Sequence, residues 1–557
     1  RSNNSYTYGT KYPMLWTADQ VFANFGQGSG VTDMKSTIDA DVNLASFFGR
    51  LNYNYKERYL LTFTAREDGS SKFAMGNKWG FFPAASAAWR IIEEPFMAGT
   101  KKVLSNLKLR LSYGEAGNNR ISNSQYLMIY SANSGSKRYG VGESANNHLS
   151  TTSVLANPNL TWETTITRNV GVDFGFLDER ITGSVELYWN TAKDLLIEHS
   201  ITAPGYTTMY ENSAETENKG IDVSLNFNLV NKRDFSLSAY ANINFNKSKV
   251  KSLSGGLESM PFQSGWAGTD NKNTDDYIVR VGDPIGLVYG WEVDYSNGHP
   301  YYTTNDFESY DPASKTYKLK DGVATTSLLG GAIGVRPGTL KLKDLNNDGV
   351  VDLDDRTVIG DTNPTCSGGF GLNATYKDFD FTANFTYSVG NDIYNANKIA
   401  TTQQYRSGTY PNMLKIMSQS NSYSYLNQET GLLLTSLEEL AAANEGANAK
   451  EYWSPYSLGN ATIIPTDWAL EDASYLRLQS VTLGYTLPTK LTKQVGIQRC
   501  RFYVTASNLF CITGYSGYDP EVSSYSRNSS YSGLTPGIDY SSYPKSRAFT
   551  FGLNVTL

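Results

Sequence analysis

"AFTFGLNVTL", Ala548 to Leu557, alternates without a break. Phe549, Phe551, Leu553, Val555 and Leu557 fall on one face; Ala548, Thr550, Gly552, Asn554 and Thr556 fall on the other. Successive strand side chains point to opposite faces, so this is a ribbon oily on one side and polar on the other. The same pattern sets Ile221, Val223, Leu225, Phe227 and Leu229 against Asp222, Ser224, Asn226 and Asn228. It returns from Phe235 to Phe245 and from Phe379 to Val389. A one-sided sheet in water would alternate too, so alternation alone does not name the solvent.

Length and spacing go further. The units run to about 9–12 residues, what a tilted strand needs to cross a bilayer and longer than most globular strands. About 13 are present, near 47–55, 59–67, 79–91, 107–115, 166–176, 181–190, 220–229, 235–246, 368–376, 379–389, 473–487, 499–511 and 546–557. Short links at 56–58, 177–180, 230–234 and 377–378 alternate with long ones after 116, 247, 390 and 512. Tight periplasmic turns and long outer loops mark an antiparallel transmembrane β-barrel. With the short turns inside, the strand at 47–55 runs inward and residues 1–43 read as an extracellular loop. An even-stranded barrel then needs partners beyond this set, so the chain reads as the C-terminal part of a larger barrel. A soluble β-sandwich also alternates, but loops this long rarely join adjacent strands of a compact soluble sheet.

Composition agrees. Forty-eight basic and 54 acidic residues leave a net charge of -6 without a basic block, which argues against a nucleic-acid partner. The 39 tyrosines suit strands and places where an apolar ring ends in a wet hydroxyl. Tyr53, Tyr55, Tyr59, Phe81, Phe82, Trp89, Trp189 and Phe510 lie near strand ends, as interfacial girdles or as ordinary strand residues. Three cysteines exclude a disulfide scaffold, and Cys500 and Cys511, about 36 Å apart along an extended strand, do not bridge within it. No run of about 18 apolar residues offers a helical span, and "RSNNSYTYGT" has no signal core.

Several segments resemble hallmark stretches of the SusC-like TonB-dependent transporters, in the family's order: Asn52–Ile91, Leu107–Asn118, Asn157–Leu196, Glu217–Asn226, "GNDIYN" at 390–395, Asp472–Pro488 and "FYVTASNLFCITGYSGYDPEV" at 502–522. The resemblance spans residues 44–557. It implies a 22-stranded barrel around an N-terminal plug, of which this chain would carry the last 13 strands, without the plug and about nine strands. It also implies a Gram-negative outer-membrane location in contact with lipid, a SusD-like surface lipoprotein, and drive from the TonB–ExbB–ExbD complex through the absent N-terminal part. Import of oligosaccharides or peptides follows, and dimers of transporter–lipoprotein pairs are common in the family. A passive porin-like channel and an extracellular glycan-binding or adhesin module are the rival classes. The final residue departs from the family's usual aromatic: it is Leu557.

One stretch stands apart. "KDLNNDGVVDLDD", Lys343 to Asp355, has the spacing of an EF-hand-type loop: Asp344, Asn346, Asp348, Val350 (by its carbonyl), Asp352 and Asp355 as ligands, with Gly349 at the turn. It lies in the long outer connection at about 247–367. It predicts a structural Ca²⁺, with an Asx-rich turn bonded to its own backbone as the alternative. No organic cofactor is implied. Trp266, Trp291, Tyr301 and Tyr302 in the same connection are candidates for stacking on substrate, with packing of the loop's own core the favoured use. Catalytic signals are poor. His148, His199 and His299 lack ligand spacing and read as surface residues, "GESAN" at 142–146 lacks a nucleophile elbow, and Glu93–Glu94 and Asp275–Asp276 read as solvated pairs rather than a glycosidase site. The chain is not expected to be an enzyme.

Overall fold

The computed structural model describes residues 4–10, 31–38, 42–133, 139–141, 144–146, 148–266, 275–329, 334–402, 412–456, 464–523 and 532–557. Alternating residues pair into one sheet of 14 strands, of which one, the two-residue Val154–Leu155, lies off the main path. The thirteen left follow one another antiparallel. They are β1 (Leu44–Tyr55), β2 (Tyr59–Ser70), β3 (Trp79–Arg90), β4 (Leu104–Asn118), β5 (Glu163–Phe176), β6 (Ile181–Ala203) and β7 (Tyr206–Asn231). Next come β8 (Phe235–Ser252), β9 (Cys366–Tyr376), β10 (Phe379–Val389), β11 (Tyr475–Thr486), β12 (Arg499–Thr513) and β13 (Ala548–Thr556). Every strand expected from the sequence is here, each hydrogen-bonded to its chain neighbour; among the described residues β1 and β13 are paired on one side only.

The tight turns gather at one end. At β1–β2, Lys56 and Glu57 take φ of 53° and 56°, and the Asn54 side chain accepts the Glu57 N–H at 2.9 Å. Left-handed turn residues match the right-handed twist of the flanking strands, which is why non-glycines are held there. Leu177, Asp178, Glu179 and Lys377 repeat the device at the next turns. The opposite end carries the long connections.

One expected loop is not a loop. β6 and β7 continue past the membrane-length segments to 23 and 26 residues, closing on Pro204–Gly205, where Gly205 has φ 83°. Proline followed by a positive-φ glycine is a type II turn, so the chain reverses there without losing strand pairing. Residues 1–43, expected as a loop, show an antiparallel ribbon of Asn4–Thr10 with Val31–Ile38 off the main sheet, and residues 1–3, 11–30 and 39–41 lie outside the described residues.

The two faces settle what the sheet touches. Register aligns Leu111, Val170, Leu187, Ile221 and Phe245 across β4 to β8. All sit on doubly paired strands, yet their exposures are 47%, 43%, 49%, 41% and 42%. No second sheet covers this face among the described residues. A row of this kind is too large and continuous for a wall in water, and it forms the hydrocarbon-facing belt of a barrel. The other face is polar and internally bonded. Arg110 Nε and Nη2 donate to Asp173 at 2.9 and 2.8 Å, Arg110 also pairs with Glu186, and Asn169 donates to Glu186 at 3.1 Å. Further round, Arg501 Nε reaches Asp380 at 2.8 Å and Tyr240 reaches Asn384 at 2.9 Å. No described helix is long and apolar enough to cross a membrane; the crossing is made by strands.

In the assembled barrel, Leu187→Arg places a charge near the middle of the belt. We expect it to lower folding stability in bilayers by about 2–4 kcal/mol, read by urea titration of the folded fraction. Ser112→Arg, on the polar face, is expected to cost far less.

Candidate functional site

On the polar face, above the membrane-length part of the sheet, lies a cleft of about 510 Å³. The long β6–β7 hairpin raises Leu195, Ile197 and Tyr210 beside it, and β8 contributes Val250. The opposite wall is Met260, Phe262 and Val279, from a four-stranded outer sheet of Ser259–Phe262, Tyr277–Arg280, Leu287–Gly290 and Thr357–Asp361. Val250, Leu253 and Val279 are buried together, which fixes that sheet onto the wall. Two carboxylates border the cleft. Glu163 accepts the Leu196 N–H at 2.8 Å and pairs with the Asn118 amide, and Glu198 accepts the Tyr210 hydroxyl at 2.9 Å. Backbone and side-chain donors hold both in place, at the edge of an otherwise aliphatic surface. Sequence reasoning missed this cleft because it treated 191–219 as a loop. The available signal was a Pro-Gly dipeptide between strand-forming residues.

The two largest outer connections fold as one body. Trp291, Val293, Tyr301, Leu340, Leu342 and Val351 from the first pack with Tyr423, Leu440, Trp453 and Ile464 from the second. Asp392–Asn395 pairs with Leu470–Asp472 and with Ile538–Asp539 of the third connection. This body accounts for the aromatic candidates. Trp291 is 1% exposed and its Nε1 donates to the Asp352 carbonyl at 2.7 Å. Tyr301 and Tyr302 are fully buried and donate to the Lys450 and Ala324 carbonyls, both at 2.8 Å. Trp266 is buried against Tyr540, with ring centroids 4.9 Å apart. None of the four offers a face to substrate: they are core.

The acidic loop sits on that core through Trp291 and Arg356, whose guanidinium lies 5.8 Å from the Trp291 ring centre. Asn347 and Gly349 turn the chain with φ of 60° and 87°. The side chains bond the loop's own backbone. Asp344 accepts from Gly349 N at 2.8 Å, Asp348 from Val350 N at 2.8 Å and Asp352 from Asp354 N at 2.8 Å. Asp355 is fully buried, with Oδ1 on Leu345 N at 2.8 Å and Oδ2 on Asp352 N at 2.8 Å. Asn346 Nδ2 donates to Asp348 at 3.0 Å. Among the described residues no group of three or more His, Cys, Asp or Glu is arranged to hold a metal ion. In this conformation the loop's side-chain oxygens serve as acceptors for its own backbone N–H groups, as in an Asx-bonded turn.

Other candidates separate. His199 is half-buried with Nδ1 3.3 Å from Ser254 Oγ, and His299 stacks on Tyr301 at 5.0 Å, so neither is the surface residue expected. The side chain of His148 and the start of "GESAN" lie outside the described residues. The acid pairs are not both solvated. Glu94 is buried, accepting from Tyr59 at 2.6 Å and Trp89 at 3.0 Å, and Asp276 is fully buried. Phe82 also turns inward, at 5.7 Å from Trp162, while Tyr53, Tyr55, Tyr59, Phe81, Trp189 and Phe510 are exposed. All three cysteines are free.

A belted sheet with a polar inner face, tight turns at one end and a folded outer body at the other defines an integral outer-membrane β-barrel protein. Residues 2–328 match the family described as TonB dependent receptor-like, beta-barrel. The chain belongs to that family, and so to the outer membrane of Gram-negative bacteria. It is 32% identical to TonB-dependent receptor P3 of Formosa agariphila, over 95% of this chain and 47% of the relative. It is likewise 32% identical to TonB-dependent receptor SusC of Bacteroides thetaiotaomicron, over 92% of this chain and 43% of SusC. The chain thus spans about half the length of these curated relatives, which are receptors and not enzymes. The fold is also that of the RagAB peptide importer in its closed-closed state, with a TM-score of 0.69, 24% identity, and coverage of 95% of this chain and 50% of that one.

Proposed function

We propose that this chain forms the C-terminal wall and outer body of a TonB-driven importer that takes up oligosaccharides or peptides captured with a SusD-like lipoprotein. The observation that supports this best is the cleft: it opens on the polar face, between barrel wall and outer body, where cargo entering from outside would first meet the lumen. The single-sided pairing of β1 and β13 is where remaining barrel strands would join, since closure removes exposed edges. Aliphatic walls edged by Glu163 and Glu198 suit peptide side chains better than a sugar face, because the tryptophans that would make a sugar platform are core. SusC is by name a TonB-dependent receptor and RagAB a peptide importer, which supports a TonB-driven importer of this kind.

The test is uptake by the full-length transporter with its lipoprotein. Leu195→Trp together with Ile197→Trp fills the cleft without touching the belt, and uptake of labelled oligopeptide is expected to fall about tenfold while heat-modifiable barrel migration is kept. Unchanged uptake of both oligopeptide and oligosaccharide would remove the cleft from the route.

We propose also that the acidic loop takes up Ca²⁺ through the side-chain oxygens of Asp344, Asn346, Asp348 and Asp352 with the Val350 carbonyl, Asp355 staying in its backbone clasp. Four hard oxygen side chains on one tight turn support the ion, and its role there is to stiffen the outer body.

A further inference from the structure

The belt changes character above Leu111, Val170, Leu187 and Ile221. The next outward-facing row, read across β4 to β8 by register, is Tyr113, Arg168, Trp189, Lys219 and Lys247. Trp189 lies between two cations, with Arg168 at 4.9 Å and Lys219 at 4.7 Å from its ring centre. Lys219 stands directly opposite Lys247, an arrangement that destabilises a sheet unless an anion lies between them. Above them on the same face of β8 are the exposed Lys249 and Lys251. The nearby carboxylates are already engaged: Glu217 by Trp189 Nε1 at 2.7 Å and Lys219 at 2.8 Å, and Glu115 by the Tyr113 hydroxyl. Glu215, half-buried, is the remaining acid on this part of β7. Among the described residues Arg168, Lys247, Lys249 and Lys251 form no salt bridge.

Height matters. Arg168 is eight residues along β5 from Phe176, beside the tight turn, and a tilted strand climbs about 2.3 Å per residue. That puts Arg168 about 18 Å above the inner girdle and Lys219 and Lys247, each twelve residues from the β7–β8 turn, about 28 Å above it, so the row rises through the outer boundary of a hydrocarbon band of about 25 Å. Directly beneath them the belt is hollow. Ala85 and Ala87 of β3 leave a trough of about 490 Å³ between Phe63 on one side and Leu111 and Val170 on the other, running up to Arg168 and Trp189. A methyl-floored trough facing hydrocarbon takes an acyl chain, and the charges at its mouth take an anionic headgroup.

We propose that this wall binds a phosphorylated, acylated glycolipid of the outer leaflet, its chain in the Ala85–Ala87 trough and its phosphate on Arg168, Lys219 and Lys247. The outer position of the row selects outer-leaflet lipid over periplasmic-leaflet phospholipid, and the binding is independent of cargo.

The test titrates the detergent-solubilised full-length transporter with phosphorylated lipid A, its dephosphorylated form and phosphatidylglycerol, using native mass spectrometry. Arg168→Gln, Lys219→Gln and Lys247→Gln together are expected to weaken phosphorylated lipid A about a hundredfold, to the level the parent shows for the dephosphorylated form. Ala87→Phe fills the trough and is expected to weaken it by about tenfold with every charge intact. Heat-modifiable migration verifies that the variants fold. Equal binding by parent and triple variant, binding indifferent to phosphate, or phosphatidylglycerol binding as tightly as lipid A would each overturn the assignment. So would Ala87→Cys crosslinking two transporters in lipid A-containing vesicles, which would make the trough an interface between copies.

Discussion

Asp355→Ala is expected to destabilise the outer body by about 3–5 kcal/mol while leaving the barrel folded. Asp355 has no exposure, and its two oxygens accept from the backbone of Leu345, Asn346 and Asp352. Removing the carboxylate leaves those N–H groups without a partner beneath a closed turn, and each bond to a charged acceptor is worth about 1.5–3 kcal/mol. The damage spreads inward, because Val351 beside it is fully buried and the Asp352 carbonyl holds the Trp291 indole. Limited proteolysis and hydrogen exchange of residues 340–360 measure it. Asp355→Asn keeps an acceptor oxygen and should cost about 1–2 kcal/mol. The loss should be the same in EGTA and in calcium, since Asp355 is used by the backbone. Asp348→Asn should do the reverse, abolishing only the extra stability that calcium confers. An Asp355→Ala loss confined to calcium would return that residue to the ligand set, and a parent indifferent to calcium would end the metal proposal.

What could be read from the chain follows from which forces act locally. The belt strands were legible because lipid on one side and a wet lumen on the other impose period two on every strand, as in Ile221 to Leu229. The outer body was not. Tyr277–Arg280 and Leu287–Gly290 are four residues each, mostly buried, and leave no alternation to see. Its pairings are also remote: Tyr394 meets Ile538 from another connection, which no window of sequence contains. The hairpin beyond residue 190 escaped because the length needed to cross a bilayer was taken as the strand's end. The acidic loop shows a deeper ambiguity. Ligand spacing and Asx-turn spacing are one pattern, since both aim alternate oxygens into a tight turn, and only backbone distances such as Gly349 N to Asp344 separate them. The aromatic residues carry a similar ambiguity: the residue types that stack on a sugar are those that fill the core of a large loop, and burial alone distinguishes the two.

The outer sheet is expected to loosen as pH rises from about 4 to about 7, and Asp276→Asn to remove most of that dependence. Burial pushes the Asp276 carboxyl up to about 7, against the bonds it accepts from the Ser264 hydroxyl, the Ser264 N–H at 2.7 Å and its own backbone; Asp275 pushes the same way. Tyr277 and Tyr394, packed nearby and themselves pushed up by burial, stay neutral over this range and supply no compensating charge. Unfolded, an aspartate titrates near about 3.9. The folded state therefore binds the proton more tightly, holds more protons between those two values, and loses stability as pH climbs through them. Integrated over the interval, the cost is about 4 kcal/mol, complete above about pH 7. An asparagine in place of Asp276 would carry no charge and would keep an oxygen for the Ser264 N–H. Exchange protection of Tyr277–Arg280 in the variant should then match the parent near pH 4.5 and exceed it by about 2–4 kcal/mol at pH 8. Half-buried Asp392 and Asp467, also raised by desolvation, add slopes of the same sign to both proteins and cancel in the difference. A difference that stays flat from pH 5 to 8 would mean that Asp276 is ionised throughout, with a counter-charge or water reaching it that the packing around Ser264 excludes.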